Sequence, residues 1–100
     1  MRRFKNFDEM QASIGEELGV SDWVPVTQEW ITSFAKATGD EQWLHVDVER
    51  ARRELPSKGT IAHGLLTRAL APAFVRSVAE IEGLKHTLNY GADRVRYLAP

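Results

Sequence analysis

The sequence predicts an α+β domain in which a sheet covers a central helix. Apolar side chains recur over most of the circumference of the segment 64–78, a pattern that is typical of a buried helix. Further along, residues 84–90 and 94–97 alternate apolar with polar side chains, which is the period of strands that bury one face. Shorter helical patterns precede both segments. A sheet wrapped around one helix accounts for the two main patterns.

The composition is that of one globular domain with an ordinary surface. The 100 residues are 43% hydrophobic and 27% charged, with a formal net charge of −1. With this net charge the protein has no overall positive electrostatic field that would attract a nucleic acid, so we expect no nucleic-acid partner. The sequence contains no cysteine, and no apolar run is long enough for a signal peptide or a membrane span. We therefore expect a cytoplasmic protein without disulfides, thiolate metal sites or a membrane partner.

Two short elements are expected before residue 28. Asn6 with Glu9 three positions later resembles a capping box and predicts a helix over 6–14. Its apolar residues share one face, so we expect this helix to dock on its own domain. They are Phe7, Met10 and Ile14. Residues 19–27 are rich in valine and predict a short strand, which Pro25 places at an edge.

A second helix is predicted from residue 28, with Thr27 as its cap and Gly39 as its end. Its predicted inner face carries Trp30, Phe34 and Ala37. Asp47 can cap a third, polar helix in which arginines and glutamates interleave. Such mixed charge is typical of a solvated face, and phosphate binding by its basic residues is the second interpretation. These residues are Arg50, Arg52, Arg53 and Lys58.

Asp40 and His45 follow the glycine that ends the second helix. Across an irregular segment, a carboxylate and an imidazole five residues apart can converge on one water molecule, which Asp40 would deprotonate while His45 holds it or moves its proton. An aspartate after such a glycine is also a common turn residue, and a single histidine is more often structural than catalytic. The spacing alone leaves both interpretations open.

The helix predicted over 64–78 begins at Gly64 and contains Pro72. Because Pro72 has no N–H to bond the Arg68 carbonyl, we expect a kink or a break there. Gly64 presents a free backbone N–H at the positive end of the helix dipole, and the missing Cβ lets a ligand approach closely. Gly64 is therefore a candidate oxyanion donor, with tight packing as the simpler explanation. His63 can brace or cap this turn.

Four segments resemble the signature of one enzyme family. They are FAKATGDEQWLH at 34–45, with Asp47 and Ala51 following, GTIAHGLLT at 59–67, and LNYG at 88–91 with VRYLAP at 95–100. Together they cover nearly the whole chain and resemble the MaoC-like (R)-specific enoyl-CoA hydratases, in particular the NodN-like branch. One departure is that the family's Asn and Pro ahead of the histidine are replaced by Gln42 and Trp43.

The resemblance implies a hot-dog fold, in which an antiparallel sheet wraps a long central helix. It also implies a hydro-lyase of fatty acid metabolism that converts a trans-2-enoyl thioester, as enoyl-CoA, into an (R)-3-hydroxyacyl thioester. Asp40 and His45 would be the catalytic pair, and the N–H of Gly64 would face the thioester carbonyl. Substrate-binding residues would be Gln42, whose amide can hydrogen-bond the pair, and Ala62, His63 and Leu65. No metal and no cofactor are implied, since coenzyme A enters as part of the acyl-CoA substrate.

Two other functions remain open at this point. A non-catalytic hot-dog module that binds acyl thioesters, or that serves assembly, would use Gly64 and the apolar helix without needing Asp40 or His45. A hot-dog thioesterase would also use a carboxylate and a helix N-terminus. The target of the activated water separates the two enzymes.

The predicted strands are too few to enclose the helix over 64–78. We therefore expect residues 1–100 to belong to a single MaoC-like hot-dog domain and to be its amino-terminal portion. Residues after Pro100, a second copy of the chain, or both would cover the apolar surface. Because hot-dog domains generally pair about a two-fold axis, the resemblance also implies a homodimer.

Overall fold

The computed structural model describes the whole chain, Met1–Pro100, and contains six helices and one small sheet joined by long irregular segments. In chain order its elements are β1 (Arg2–Phe4), α1 (Phe7–Ala12), α2 (Gln28–Thr38), α3 (Trp43–Val46), α4 (Val48–Glu54), α5 (Gly64–Ala69), α6 (Ala71–Val78) and β2 (Ala79–Ile81). Contacts group the chain into a first unit, Met1–Trp23 with Leu70–Val95, and a second unit, Val24–Ala69 with Arg96–Pro100. None of the helices combines the length and the apolar composition that a membrane crossing requires.

A parallel two-stranded ladder organises the first unit. β1 pairs with β2 so that Arg2 lies opposite Ala79 and Phe4 lies opposite Ile81. Phe4 is only 1% exposed and is the largest fully buried side chain of the protein. The sequence analysis predicted neither strand, because three residues are too few to show a period of two.

The helix predicted over 6–14 is confirmed as α1, although it ends at Ala12. Asn6 Oδ1 accepts the N–H of Glu9 at 2.8 Å, which is the contact of a capping residue. The prediction that its apolar face docks on the domain is wrong. The three apolar residues, Phe7, Met10 and Ile14, are exposed and line an open groove.

The strands predicted over 19–27 and 84–97 do not form. Alternation shows which faces a segment can present, but a strand exists only where a neighbour takes up its backbone hydrogen bonds. Neither segment has such a neighbour here, and Trp23, Leu88 and Tyr90 are at least 83% exposed. The only ladder in the structure is parallel, so these residues do not form the antiparallel sheet that the resemblance implies.

The helix predicted over 64–78 is two helices, α5 and α6, with a break at Leu70. Pro72 lies in the first turn of α6, where a missing N–H costs no helical hydrogen bond, so the predicted effect of this proline is confirmed. The predicted burial is wrong, because Leu66 is the only buried residue of α5 and α6 has none. The apolar pattern identified helical segments but not what would cover them.

α2 is the longest helix of the second unit and has the predicted ends. Thr27 Oγ1 accepts the N–H of Trp30 at 3.2 Å, and Gly39 ends the helix. The predicted inner face is wrong by one position: the helix buries Ile31 and Ala35, whereas Trp30 and Ala37 are exposed and Phe34 is half-buried. Because the side chain of Ala35 is small, a neighbouring segment of the chain can approach this face of the helix more closely than it could approach the larger aromatic side chains.

α4 has the cap and the solvated face that its sequence predicts. Asp47 Oδ1 accepts the N–H of Arg50 at 3.0 Å. On the exposed side, Arg50 pairs with Glu54 at 2.7 Å and Arg52 pairs with Glu49 at 2.6 Å. α3 contacts both α2 and α4, which sets it between the two longer helices of this unit.

Candidate functional site

Asp40 leaves helix α2 in a direction that Gly39 sets. Gly39 lies in the left-handed region at φ 82°, and its N–H donates to the Ala35 carbonyl at 2.9 Å, which closes the helix. The N–H of Asp40 then donates to Thr38 Oγ1 at 3.3 Å. The Asp40 side chain is 42% exposed, so its carboxylate is open to a ligand.

His45 is buried in α3 with its two ring nitrogens in different roles. Its residue exposure is 8%, and Nδ1 lies 2.6 Å from the backbone carbonyl oxygen of Ile61. A carbonyl oxygen can only accept, so Nδ1 carries a hydrogen, and in the neutral imidazole Nε2 then holds a lone pair. That Nε2 lies 4.0 Å from Asp40 Oδ2. The structure therefore brings the two predicted catalytic residues together.

A polar brace holds α3 against the segment 60–61. Gln28 Nε2 donates to the His45 carbonyl at 2.8 Å, while Gln28 Oε1 accepts from Thr60 Oγ1. The N–H of Ile61 donates to the Leu44 carbonyl at 2.9 Å. No sequence pattern marks Gln28, Thr60 and Ile61 as parts of the site. A histidine at a functional site needs an acceptor for its second nitrogen, but no local pattern says which carbonyl supplies it.

His63 lies at the centre of this site, with 3% exposure. Its Nε2 donates to the backbone carbonyl of Asp40 at 2.9 Å. Its ring stacks on that of His45, with centroids 3.7 Å apart and planes at 20°, and its centroid is 4.9 Å from that of Phe34. The Nδ1 of His63 is buried without a hydrogen-bond partner.

The gap between Asp40 and His45 suits one water molecule. Both facing atoms, Asp40 Oδ2 and His45 Nε2, are acceptors, and they are 4.0 Å apart. A water at the usual distance of about 2.8 Å from each would subtend roughly 90° between them, close to the angle between its own two O–H bonds. It would donate both hydrogens to the pair and turn its lone pairs outward. The arrangement can therefore orient and deprotonate a water nucleophile.

A shared metal ion fits these residues less well. Asp40, His45 and His63 each offer an atom that could bind a metal, and these atoms all lie within 4.8 Å of one another. However, an imidazole binds a metal in its ring plane at about 2.0 Å, and two stacked rings at 20° hold their lone pairs in nearly parallel planes. The two rings could not both bind the same ion in this geometry unless one of them turned. That the site takes no metal remains a prediction.

Gly64 begins α5 with its backbone N–H free of hydrogen bonds within the chain. A Cβ on Gly64 would lie 2.6 Å from Tyr97 Cδ2, so the Tyr97 ring occupies the space where the sequence predicted the approach of a ligand, and tight packing explains the glycine here. Of the other predicted binding residues, Ala62 is half-buried and Leu65 is 63% exposed. The prediction that the Gln42 amide hydrogen-bonds the pair is not met, because this exposed side chain makes no hydrogen bond.

Comparison with known proteins gives a consistent set of relatives. A profile of the MaoC-like domain family matches residues 9–100. The chain is 47% identical over 100 residues to 3-hydroxyacyl-thioester dehydratase Z of Mycobacterium tuberculosis, covering 100% of this chain and 66% of that protein. It is 47% identical over 93 residues to Nodulation protein N of Rhizobium leguminosarum bv. viciae, covering 92% of this chain and 58% of that protein.

A second Nodulation protein N, from Rhizobium meliloti, is 41% identical over 101 residues, with 95% of this chain and 60% of that protein covered. The chain thus spans slightly less than two thirds of the length of these relatives. The similarity extends over the site segments 34–45 and 59–67 as well as over the rest of the chain.

Proposed function

Because this chain belongs to the MaoC-like domain family, NodN-like branch, we propose that the protein hydrates a trans-2-enoyl thioester, with enoyl-CoA as the substrate, to an (R)-3-hydroxyacyl thioester. The reverse reaction is a dehydration, which is the activity in the name of the mycobacterial relative. The observation that carries the proposal is the 4.0 Å separation of Asp40 Oδ2 and His45 Nε2, two acceptors that suit one water. No metal and no cofactor take part in the proposed reaction.

In the proposed hydration, Asp40 is the general base. A water donates one hydrogen to Asp40 Oδ2 and the other to His45 Nε2, and its oxygen attacks the β-carbon of the enoyl group. As the C–O bond forms, the carbon–carbon double bond shifts electrons onto the α-carbon and the thioester oxygen, and Asp40 takes a proton from the water. That proton then passes to the α-carbon. The product has gained one hydroxyl and one hydrogen, as hydration requires.

The negative charge that develops on the thioester oxygen needs a donor. Gly64 supports this role because its backbone N–H is unused and because it follows His63, which contacts both Asp40 and His45. Removal of one oxyanion-hole donor costs about 2.7–4 kcal/mol in acyl transfer, so a single well-placed donor is enough to matter. Ala62 and the exposed Leu65 flank this turn and are proposed to contact the acyl thioester.

An assay with two readouts tests the proposal. The protein is incubated with a trans-2-enoyl-CoA, and the loss of enoyl absorbance and the release of free thiol are followed together. Hydration removes the absorbance without releasing thiol, and chiral analysis of the product should give the (R) alcohol. Thiol release would identify a thioesterase instead, and no change in either signal would identify a binding or assembly module.

A further inference from the structure

We propose that His63 is a positioning residue that holds Asp40 and His45 in their relative places. This inference rests on the proposed function of that pair. His63 contacts both partners in different ways, through its Nε2–H to the backbone of Asp40 and through its ring face to the imidazole of His45. One side chain thus sets the place of the carboxylate and the plane of the imidazole.

The contact with Asp40 is the better of the two hydrogen bonds that hold its backbone. The carbonyl of Asp40 accepts from His63 Nε2 at 2.9 Å, whereas its N–H reaches Thr38 Oγ1 only at 3.3 Å. Asp40 lies outside the hydrogen-bonded ladder of α2, so these contacts fix the start of the irregular segment after the helix. Loss of the His63 bond would let the backbone of Asp40 shift, and the distance from its carboxylate to His45 with it.

The contact with His45 fixes the plane of its ring. The bond from His45 Nδ1 to the Ile61 carbonyl chooses the nitrogen that carries the hydrogen, but a single hydrogen bond still lets the ring tilt about it. The ring of His63 at 3.7 Å and 20° occupies the space into which His45 would tilt. Phe34 in turn contacts His63 at 4.9 Å between centroids, so the stack is itself supported.

The burial of His63 separates this role from substrate binding. The side chain is 3% exposed, and its Nδ1 is buried without a partner. An apolar ring of the same shape would fill the position without leaving an acceptor unpaired. Any aromatic ring at this position would offer a face to His45. Only the imidazole also offers an N–H that bonds to the carbonyl of Asp40.

Three substitutions separate the two contacts. His63→Gln keeps a donor near the position of Nε2 but loses the ring face, His63→Phe keeps the ring but loses the donor, and His63→Ala loses both. The matched control is His86→Gln, at an exposed histidine outside the site. We expect kcat to fall about 10-fold in each of the first two variants and about 100-fold in His63→Ala, with KM within about 2-fold of the original.

A spectroscopic readout makes the inference independent of the assay. Two-bond ¹H–¹⁵N spectra of the imidazoles should show the hydrogen of His45 on Nδ1 in the original protein. This pattern should persist in His63→Phe, which keeps the ring face, and should become averaged between the two nitrogens in His63→Gln and His63→Ala, which both lose it. If the original protein hydrates no thioester, the proposed function fails. The His45 signal of the variants would still show whether His63 holds the ring of His45 in place.

Two results would overturn the inference. If all His63 variants keep the original kcat and the original His45 signal, His63 positions nothing. If KM rises while kcat is kept, His63 contacts the substrate, as the sequence analysis predicted for it. Circular dichroism of each variant confirms that the helices are retained, and the ring-for-ring His63→Phe exchange remains the informative case should His63→Ala unfold.

Discussion

At the scale of single residues, the chemistry of the site depends on which nitrogen of His45 is left free. The carbonyl of Ile61 takes up the Nδ1–H, so the lone pair of Nε2 faces Asp40. The identities of Asp40 and His45 could be predicted because they lie within one short stretch of sequence. Of their partners, Gln28 and Ile61 could not, because they come from other segments of the chain and only folding brings them near. His63 was predicted at the site, but its contacts with both Asp40 and His45 were not.

Removal of either facing group should abolish most of the activity. For Asp40→Asn and His45→Gln we expect kcat to fall by about 100-fold or more, since each loses a proton acceptor of the water. Folding should change little for Asp40→Asn, because its side chain is 42% exposed. Steady-state kinetics and chemical unfolding of both variants check this.

Asp93→Asn is the matched control for these variants, because Asp93 is exposed and forms no ion pair. It should keep the original kcat. Full activity in Asp40→Asn would show that Asp40 is not the base.

At the scale of elements, the ends of the helices were predictable and their buried faces were not. Caps such as Asn6, Thr27 and Asp47 each accept from the backbone N–H three residues later, so the local sequence contains the whole interaction. The buried face of α2 depends instead on how closely its neighbour approaches, and Ala35 rather than an aromatic residue is fully buried.

The cap of α2 should contribute measurably to stability. Thr27→Ala removes the acceptor for the N–H of Trp30 and should lower the free energy of unfolding by about 1 kcal/mol. Denaturant titration measures this change. Thr87→Ala, at an exposed threonine outside any helix, should leave the free energy of unfolding nearly unchanged. Equal effects in both variants would contradict the role of the cap.

Gly39 links the end of α2 to the site, so its substitution should affect both stability and activity. An alanine at φ 82° is strained by about 1–2 kcal/mol, and relief of this strain would move Asp40. For Gly39→Ala we expect that loss of stability and a fall in kcat of about 10-fold or more. Gly91→Ala is the control, since Gly91 has no positive φ and no atom near its missing side chain. If Gly39→Ala keeps full activity, the turn does not place Asp40.

At the scale of the whole molecule, many large apolar side chains remain exposed. Fully or mostly exposed examples are Ile14, Trp23, Leu88, Tyr90 and Leu98. Proteins seldom leave wide apolar patches in water, so we propose that a second copy of the chain covers part of this surface. Sedimentation velocity should give a dimer. A stable monomer at micromolar concentration would exclude this proposal.

The sequence was least informative about pairing between distant segments. Residues 84–97 have the alternation of a strand but no neighbour in a ladder, whereas Arg2–Phe4 and Ala79–Ile81 pair without any visible pattern. Alternation is a property of one segment, and pairing is a property of two. The expected hot-dog class and the proposed catalytic pair came from the family resemblance, while the hydrogen bonds around the pair became visible only in the structure.

The central claim, that Asp40 and His45 activate water for attack on a carbon–carbon double bond, is tested most directly with labelled water. The protein is incubated with a trans-2-enoyl-CoA in H₂¹⁸O, and the product is examined by mass spectrometry. We predict that ¹⁸O enters the hydroxyl group at the β-carbon, and that Asp40→Asn slows this labelling by about 100-fold. Label in a released carboxylate, or undiminished labelling of the hydroxyl by Asp40→Asn, would contradict the account.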